Sequence, residues 1–276
     1  MVASTLTAPD STPLVYSAYE PPTPRAAILM LHGWSDHAGR WSGVGERLRD
    51  AGYGVYLLDQ RGHGHSGGQR GHLSRFSQLL GDLQAFRRAV RSRVPGVPQV
   101  LVGHSFGGLV ALRYLETQPS DPIAAAVVSS PWLALAAHPP AWKLVLGRIL
   151  ADLWPSVHLS AGIDSAWVSR DPVVNAAYDA DPLVHGLMTP GAWREIQWAQ
   201  RAVPADSSRI DVPILFLLGG EDRIVDAHGA RAFADGLNSV AQVRWYAEMF
   251  HEVLHDPQRE QVFGDTLQFL ADHGLD

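Results

Sequence analysis

The chain has 276 residues, 46% hydrophobic and 18% charged, which suits one large domain or a domain with an insertion and excludes a disordered chain. Its 22 basic and 28 acidic residues leave a net charge of −6, which repels a phosphate backbone and argues against a nucleic-acid partner. The lack of cysteine excludes a disulfide framework, a thiolate metal site and a cysteine nucleophile, and it fits a cytoplasmic protein. In chain order, the first ten residues lack a basic start followed by an apolar run, so no secretory signal is expected. Residues 26–31 (AAILML) read as a strand ending at His32-Gly33, and 43–51 have the length of a helix. Residues 54–59 (GVYLLD) form a second strand that runs into a loop rich in glycine and histidine. Over 74–94, Phe76, Leu79, Leu80, Leu83, Phe86 and Val90 recur at helical spacing and predict one buried stripe. Strands are predicted at 99–103 and 123–129, with a helix over 106–118 between them.

The alternation stops after Pro131 and resumes with a strand at 213–218 (PILFLL), a helix at 227–237, a strand at 243–247 and a closing helix at 258–273. Continuous apolar strands separated by helices predict an α/β fold with a mostly parallel sheet covered on both faces. The expected organisation is a sheet domain of residues 1–131 and 205–276 with an insertion at 132–204. That insertion holds six of the nine tryptophans (Trp132, Trp142, Trp154, Trp167, Trp193 and Trp198). Its helical stretch at 141–154 presents Trp142, Val145, Leu146, Ile149, Leu150, Leu153 and Trp154, a wider apolar face than a surface helix needs. Two uses are open for it: packing the insertion's own core, or lining the entry for an acyl chain. The same face is a candidate for transient contact with a membrane surface. No stretch approaches the ~20 apolar residues that span a bilayer.

The sharpest chemical signal is Gly103-His104-Ser105-Phe106-Gly107-Gly108, a G-x-S-x-G between a predicted strand and a predicted helix. The glycines give the tight turn room, and the turn projects the Ser105 hydroxyl at the carboxyl end of the sheet. A serine needs a base, and the base needs an orienting acid. In this chain order the acid follows a later strand and the histidine comes last. Asp222 sits where the chain leaves strand 213–218. Glu221 reads as a solvated loop carboxylate and Asp226 as a helix N-cap. His251 follows strand 243–247 by a short loop, whereas His255 lies four residues on and His273 lies inside the last helix. Acyl transfer also requires N–H donors for an oxyanion, and the backbone of Phe106 and Trp34 would supply them. His32 reads as a structural hydrogen-bonding residue. His63, His65 and His72 lack ligand spacing, so no metal is expected.

These segments resemble the monoacylglycerol lipase and lysophospholipase group of α/β-hydrolases, also grouped with serine aminopeptidases. His32-Gly33-Trp34-Ser35-Asp36-His37-Ala38-Gly39-Arg40-Trp41 is similar to that group's H-G-x-G-E-H-x-G-R-Y, and Asp59 to Ser66 matches its D-x-x-G-H-G-x-S loop. Gly103–Gly108 matches G-H-S-x-G-G. Ser169-Arg170-Asp171-Pro172 and Asp181-Pro182-Leu183-Val184-His185 resemble its cap motifs. Gly220-Glu221-Asp222-Arg223-Ile224-Val225 and His251-Glu252-Val253-Leu254 match the acid and histidine segments. The resemblance implies an α/β-hydrolase fold, a mainly helical cap at 132–204, a Ser105–Asp222–His251 triad, and Trp34 and Phe106 as oxyanion donors. It implies hydrolysis of an acyl ester of a single-chain glyceride, with no metal or organic cofactor. Ser35 and Asp36 replace the usual Gly and Glu, and the bulk of Trp34 is expected to narrow the pocket. Rival readings are a lysophospholipase, a broad esterase, or an aminopeptidase using one of the insertion's carboxylates (Asp152, Asp164, Asp171, Asp179, Asp181, Glu195). A non-catalytic small-ligand receptor is the remaining alternative.

Overall fold

The computed structural model describes residues 2–117, 122–137 and 139–276. Two strands not predicted from the sequence open the chain, β1 (Val2–Thr7) and β2 (Pro13–Tyr19), paired antiparallel. β1 is an exposed edge of small and hydroxylated residues, so no apolar run announces it. β3 (Ala27–Leu31), α1 (Ser42–Asp50), β4 (Gly54–Leu58), α2 (Phe76–Arg93) and β5 (Gln99–His104) follow close to their expected bounds. α3 (Phe106–Leu115) comes next, and its expected end at Gln118 lies outside the described residues. β6 (Ala125–Ser129) starts two residues later than expected.

Between β6 and the next long strand stand α4 (Ala141–Leu153), β7 (Leu159–Ser160), α5 (Pro172–Ala180), β8 (Leu187–Met188) and α6 (Pro190–Asp206). The chain then returns through β9 (Ile214–Gly219), α7 (Ala227–Gly236), β10 (Ala241–Tyr246) and α8 (Arg259–Asp272). The main sheet has eight strands in the order β1-β2-β4-β3-β5-β6-β9-β10. From β4 to β10 every neighbouring pair is parallel, and β2 runs antiparallel to β4. β3, β4, β5, β6 and β9 are buried at every position, as strands covered on both faces must be.

One face is packed by Trp41, the Val44 and Leu48 side chains of α1 and Phe263 and Phe269 of α8. The other is packed by Phe86 of α2, Leu109 of α3 and Ala230 of α7. The chain therefore leaves the adjacent strands β3 and β5 toward opposite faces. This reversal opens a crevice at their carboxyl ends, the place where open α/β sheets bind ligands.

α6 carries the inserted segment back onto the sheet domain. Its Ala192, Ile196, Ala199 and Val203 are buried in the same apolar cluster as α2 and α3. The helix runs through Pro204, which stands in its last turn beside the buried Val203. α4 behaves differently, because Ala151 is its only buried residue. Trp142, Val145, Leu146, Ile149 and Leu153 are exposed, so the wide apolar face does not serve a core. No helix of the described residues is long and apolar enough to cross a membrane.

Candidate active site

Ser105 stands alone between β5 and α3, with φ 51° and ψ −113°. The flanking glycines make this turn sterically feasible. A Cβ on Gly103 would lie 2.4 Å from the Gly107 carbonyl oxygen, and one on Gly107 would lie 2.3 Å from that of Leu31. Neither contact is tolerable, so both positions require glycine. The turn is fixed from both sides. The Ser105 N–H donates to Ser129 O (2.9 Å), and Ser105 O accepts from the Trp132 N–H (3.0 Å).

Asp222 leaves the end of β9 and points inward, its side chain fully buried. Its Oδ1 accepts from the N–H groups of Ile224 (2.8 Å) and Val225 (3.0 Å), and its Oδ2 accepts from His251 Nδ1 (2.7 Å). His251 reaches it from the loop after β10. Burial works against a charged imidazole there. The Asp222 carboxylate outweighs that effect, and the pKa of His251 is raised above its ordinary value. Ser105 and His251 line the same cavity, together with Gly33 and Trp34. Among the described residues, no protein acceptor takes up the backbone N–H of Trp34 or of Phe106. Both follow strands that meet at the crevice, β3 and β5.

The other candidates occupy different roles. Glu221 is exposed, and Asp226 caps α7 by accepting from the Gly229 N–H (2.9 Å). His255 donates to Glu252 (2.6 Å) and His273 to the Phe269 carbonyl (2.7 Å). His32 donates from Nδ1 to Gly33 O (2.7 Å) and accepts at Nε2 from the Gln60 N–H (3.1 Å). Burial lowers its pKa and keeps it neutral. His63 is buried, His65 is exposed and His72 is bonded to Thr189 and Ser74. No metal-holding cluster occurs among the described residues. Ser35, where the resembled group has Gly, adopts φ 64°, a conformation that glycine takes without strain. The Trp34 indole is a wall of the cavity. It stands edge-on to Phe106 and donates from Nε1 to Leu187 O of β8 (3.0 Å), tying the insertion to the crevice.

The cavity has a volume of about 100 Å³ and is walled mainly by apolar side chains, among them Trp132, Leu135, Met188 and Trp193. Its carboxylates are Asp36 and Glu252, which sequence reasoning did not single out as site residues. Arg40 is paired with both, through a bidentate pair to Glu252 (2.8 Å each) and a contact to Asp36 Oδ1 (3.0 Å). Burial alone would raise the pKa of Glu252, but Arg40 and His255 hold it well below the ordinary value. The Arg40 guanidinium also lies over the ring of Tyr178, a cavity residue from α5. Arg40 belongs to the His32–Trp41 motif, whereas nothing in the sequence marks Tyr178.

Residues 22–258 match the family described as "Serine aminopeptidase, S33". The monoacylglycerol lipase of Mycolicibacterium smegmatis is 33% identical over 265 residues, covering 94% of this chain and 93% of that protein. A phospholipase of Bacillus subtilis is 28% identical, covering 87% of this chain and 93% of its own. The crystal structure of the Paleococcus ferrophilus monoacylglycerol lipase superposes with a TM-score of 0.85 at 31% identity, covering 94% and 99% of the two chains. A soluble variant of the Saccharomyces cerevisiae monoglyceride lipase, in complex with a substrate analogue, superposes with a TM-score of 0.87 at 21% identity, covering 99% and 96%.

Proposed function

The chain belongs to the serine aminopeptidase family of α/β-hydrolases, and we propose that it cleaves monoacylglycerols to fatty acid and glycerol through an acyl-enzyme on Ser105. The observation that carries this reading is the hydrogen-bonded His251–Asp222 pair sharing an apolar cavity with Ser105. Ser105 attacks the ester carbonyl while His251 takes its proton, and Asp222 stabilises the imidazolium that forms. The unpaired N–H groups of Trp34 and Phe106 receive the oxyanion. His251 returns the proton to the departing glycerol and then activates the water that releases the fatty acid. Residues 132–204 act as the cap. An acyl chain passes Leu135 and Trp193, which border both the cavity and a groove of about 290 Å³ beside α4 and α6.

The aminopeptidase reading needs a carboxylate able to hold a substrate ammonium. Among the described cavity residues, Asp36 and Glu252 are both committed to Arg40. This favours an ester over a peptide N-terminus. A side-by-side assay of monoacylglycerol, lysophospholipid and an aminoacyl amide tests it. kcat/KM for monoacylglycerol is expected to exceed that for the amide by about 100-fold or more. Equal or better cleavage of the amide would overturn the substrate assignment.

We also propose that α4 docks on lipid surfaces. Trp142, Val145, Ile149 and Leu153 are 63, 54, 49 and 60% exposed, with Lys143 and Arg148 among them on the same helix. A patch of this kind gains by entering the headgroup boundary, and the cations favour an anionic leaflet. Wild-type protein is expected to sediment with anionic vesicles. The Val145→Glu, Ile149→Glu double variant should remain in the supernatant while still cleaving a water-soluble ester. A wild-type protein that stays in the supernatant ends the idea.

A further inference from the structure

We infer that Ser130 is a positioning residue for the general base, its hydroxyl fixing the backbone of His251 in register with Ser105. The inference rests on the roles given above to Ser105 and His251. Ser130 follows β6, is 1% exposed and has φ 43°, a left-handed conformation that costs a residue with a side chain. Glycine would occupy that position without strain. The serine side chain has a use there, because its Oγ donates to the backbone carbonyl of His251 (2.8 Å).

The neighbouring residues grip the nucleophile. Ser129 O accepts from the Ser105 N–H (2.9 Å), and the Trp132 N–H donates to Ser105 O (3.0 Å). The Ser130 N–H is itself anchored to Leu217 O on β9 (2.9 Å). The corner at 129–132 therefore holds Ser105 through two backbone bonds and His251 through one side-chain bond. The sheet supplies no such link. β5 leads into Ser105 and β10 leads toward His251, and β6 and β9 separate them. His251 O also accepts from the Val253 N–H (3.2 Å), but that bond lies within its own segment and cannot register it against β6.

An imidazole serving as base must satisfy two directions at once, with Nδ1 toward Asp222 and the other nitrogen toward Ser105. Its pivot is the backbone that Ser130 holds. Small displacements of a reacting group cost rate more than they cost binding.

Two variants test this. Ser130→Ala removes the hydroxyl, and Ser130→Gly removes it while relieving the left-handed strain, so the glycine variant is expected to fold even if the alanine variant does not. On a soluble short-chain ester, each folded variant is expected to lose about 10- to 100-fold in kcat with little change in KM. The low-field proton resonance of His251 Nδ1 is expected to shift upfield or broaden. A Ser130→Gly enzyme with wild-type kcat overturns the inference, and so does a kcat loss with an unmoved Nδ1 proton. Full activity in Ser105→Ala would instead remove the reading underneath, so the two failures are distinguishable.

Discussion

Replacing Ser105 by alanine is expected to lower kcat for ester hydrolysis by about five to six orders of magnitude, as loss of a nucleophile that acts with its base as one unit does. The fold should survive. The turn is held by the N–H and carbonyl of Ser105, which alanine retains, and by the glycine contacts on either side. A residual rate above water is expected, because the N–H groups of Trp34 and Phe106 and the apolar cavity remain. Steady-state hydrolysis of a soluble ester and thermal unfolding of the same sample check both halves. A folded Ser105→Ala protein with undiminished kcat would show that another group attacks.

Asp222→Asn is expected to lower kcat by about 10⁴-fold with the fold intact, and the reason lies in two backbone donors. Oδ1 of Asp222 accepts from the N–H groups of Ile224 and Val225. In the asparagine variant these donors hold the amide oxygen in that position and turn the NH₂ group toward His251 Nδ1. The ring must then accept at Nδ1 and carry its proton on Nε2, the nitrogen that has to receive the proton of Ser105. The pH profile shifts as well. In the wild type the carboxylate raises the His251 pKa, and the proposed base is the neutral ring. Activity is therefore lost as pH falls through a value above the ordinary one for histidine. Without the negative charge, burial alone acts on the ring, and the acidic limb of the variant's profile moves to lower pH. A variant retaining both wild-type kcat and limb would contradict the role given to Asp222.

The parts of the candidate site that are legible in the sequence are those that covalent geometry localises. A serine between a strand and a helix, with glycine at 103 and 107, admits one kind of turn, and the contacts that a Cβ would make at those glycines explain why. Asp222 and His251 were legible because each follows a strand end. The rest depends on contacts between residues distant in the chain. Nothing near Ser130 in sequence announces that it meets His251, 121 residues on. The pairing of Arg40 with Glu252 and its stacking on Tyr178 are equally remote. The β1–β2 hairpin escaped because its outer strand is solvated and carries little apolar signal. The breadth of the apolar face at α4 was visible. Its exposure was not, since periodicity reports that a face exists and is silent on what covers it.

In the proposed mechanism Ser105, His251, Asp222 and the two N–H donors act at one carbonyl carbon. A crystal structure of the protein inactivated with a long-chain alkyl fluorophosphonate tests that arrangement directly. The phosphorus is expected on Ser105 Oγ, with a phosphoryl oxygen about 3 Å from the N–H groups of both Trp34 and Phe106 and the alkyl chain under residues 132–204. Phosphorus on any other side chain, or a phosphoryl oxygen turned away from both donors, would contradict it.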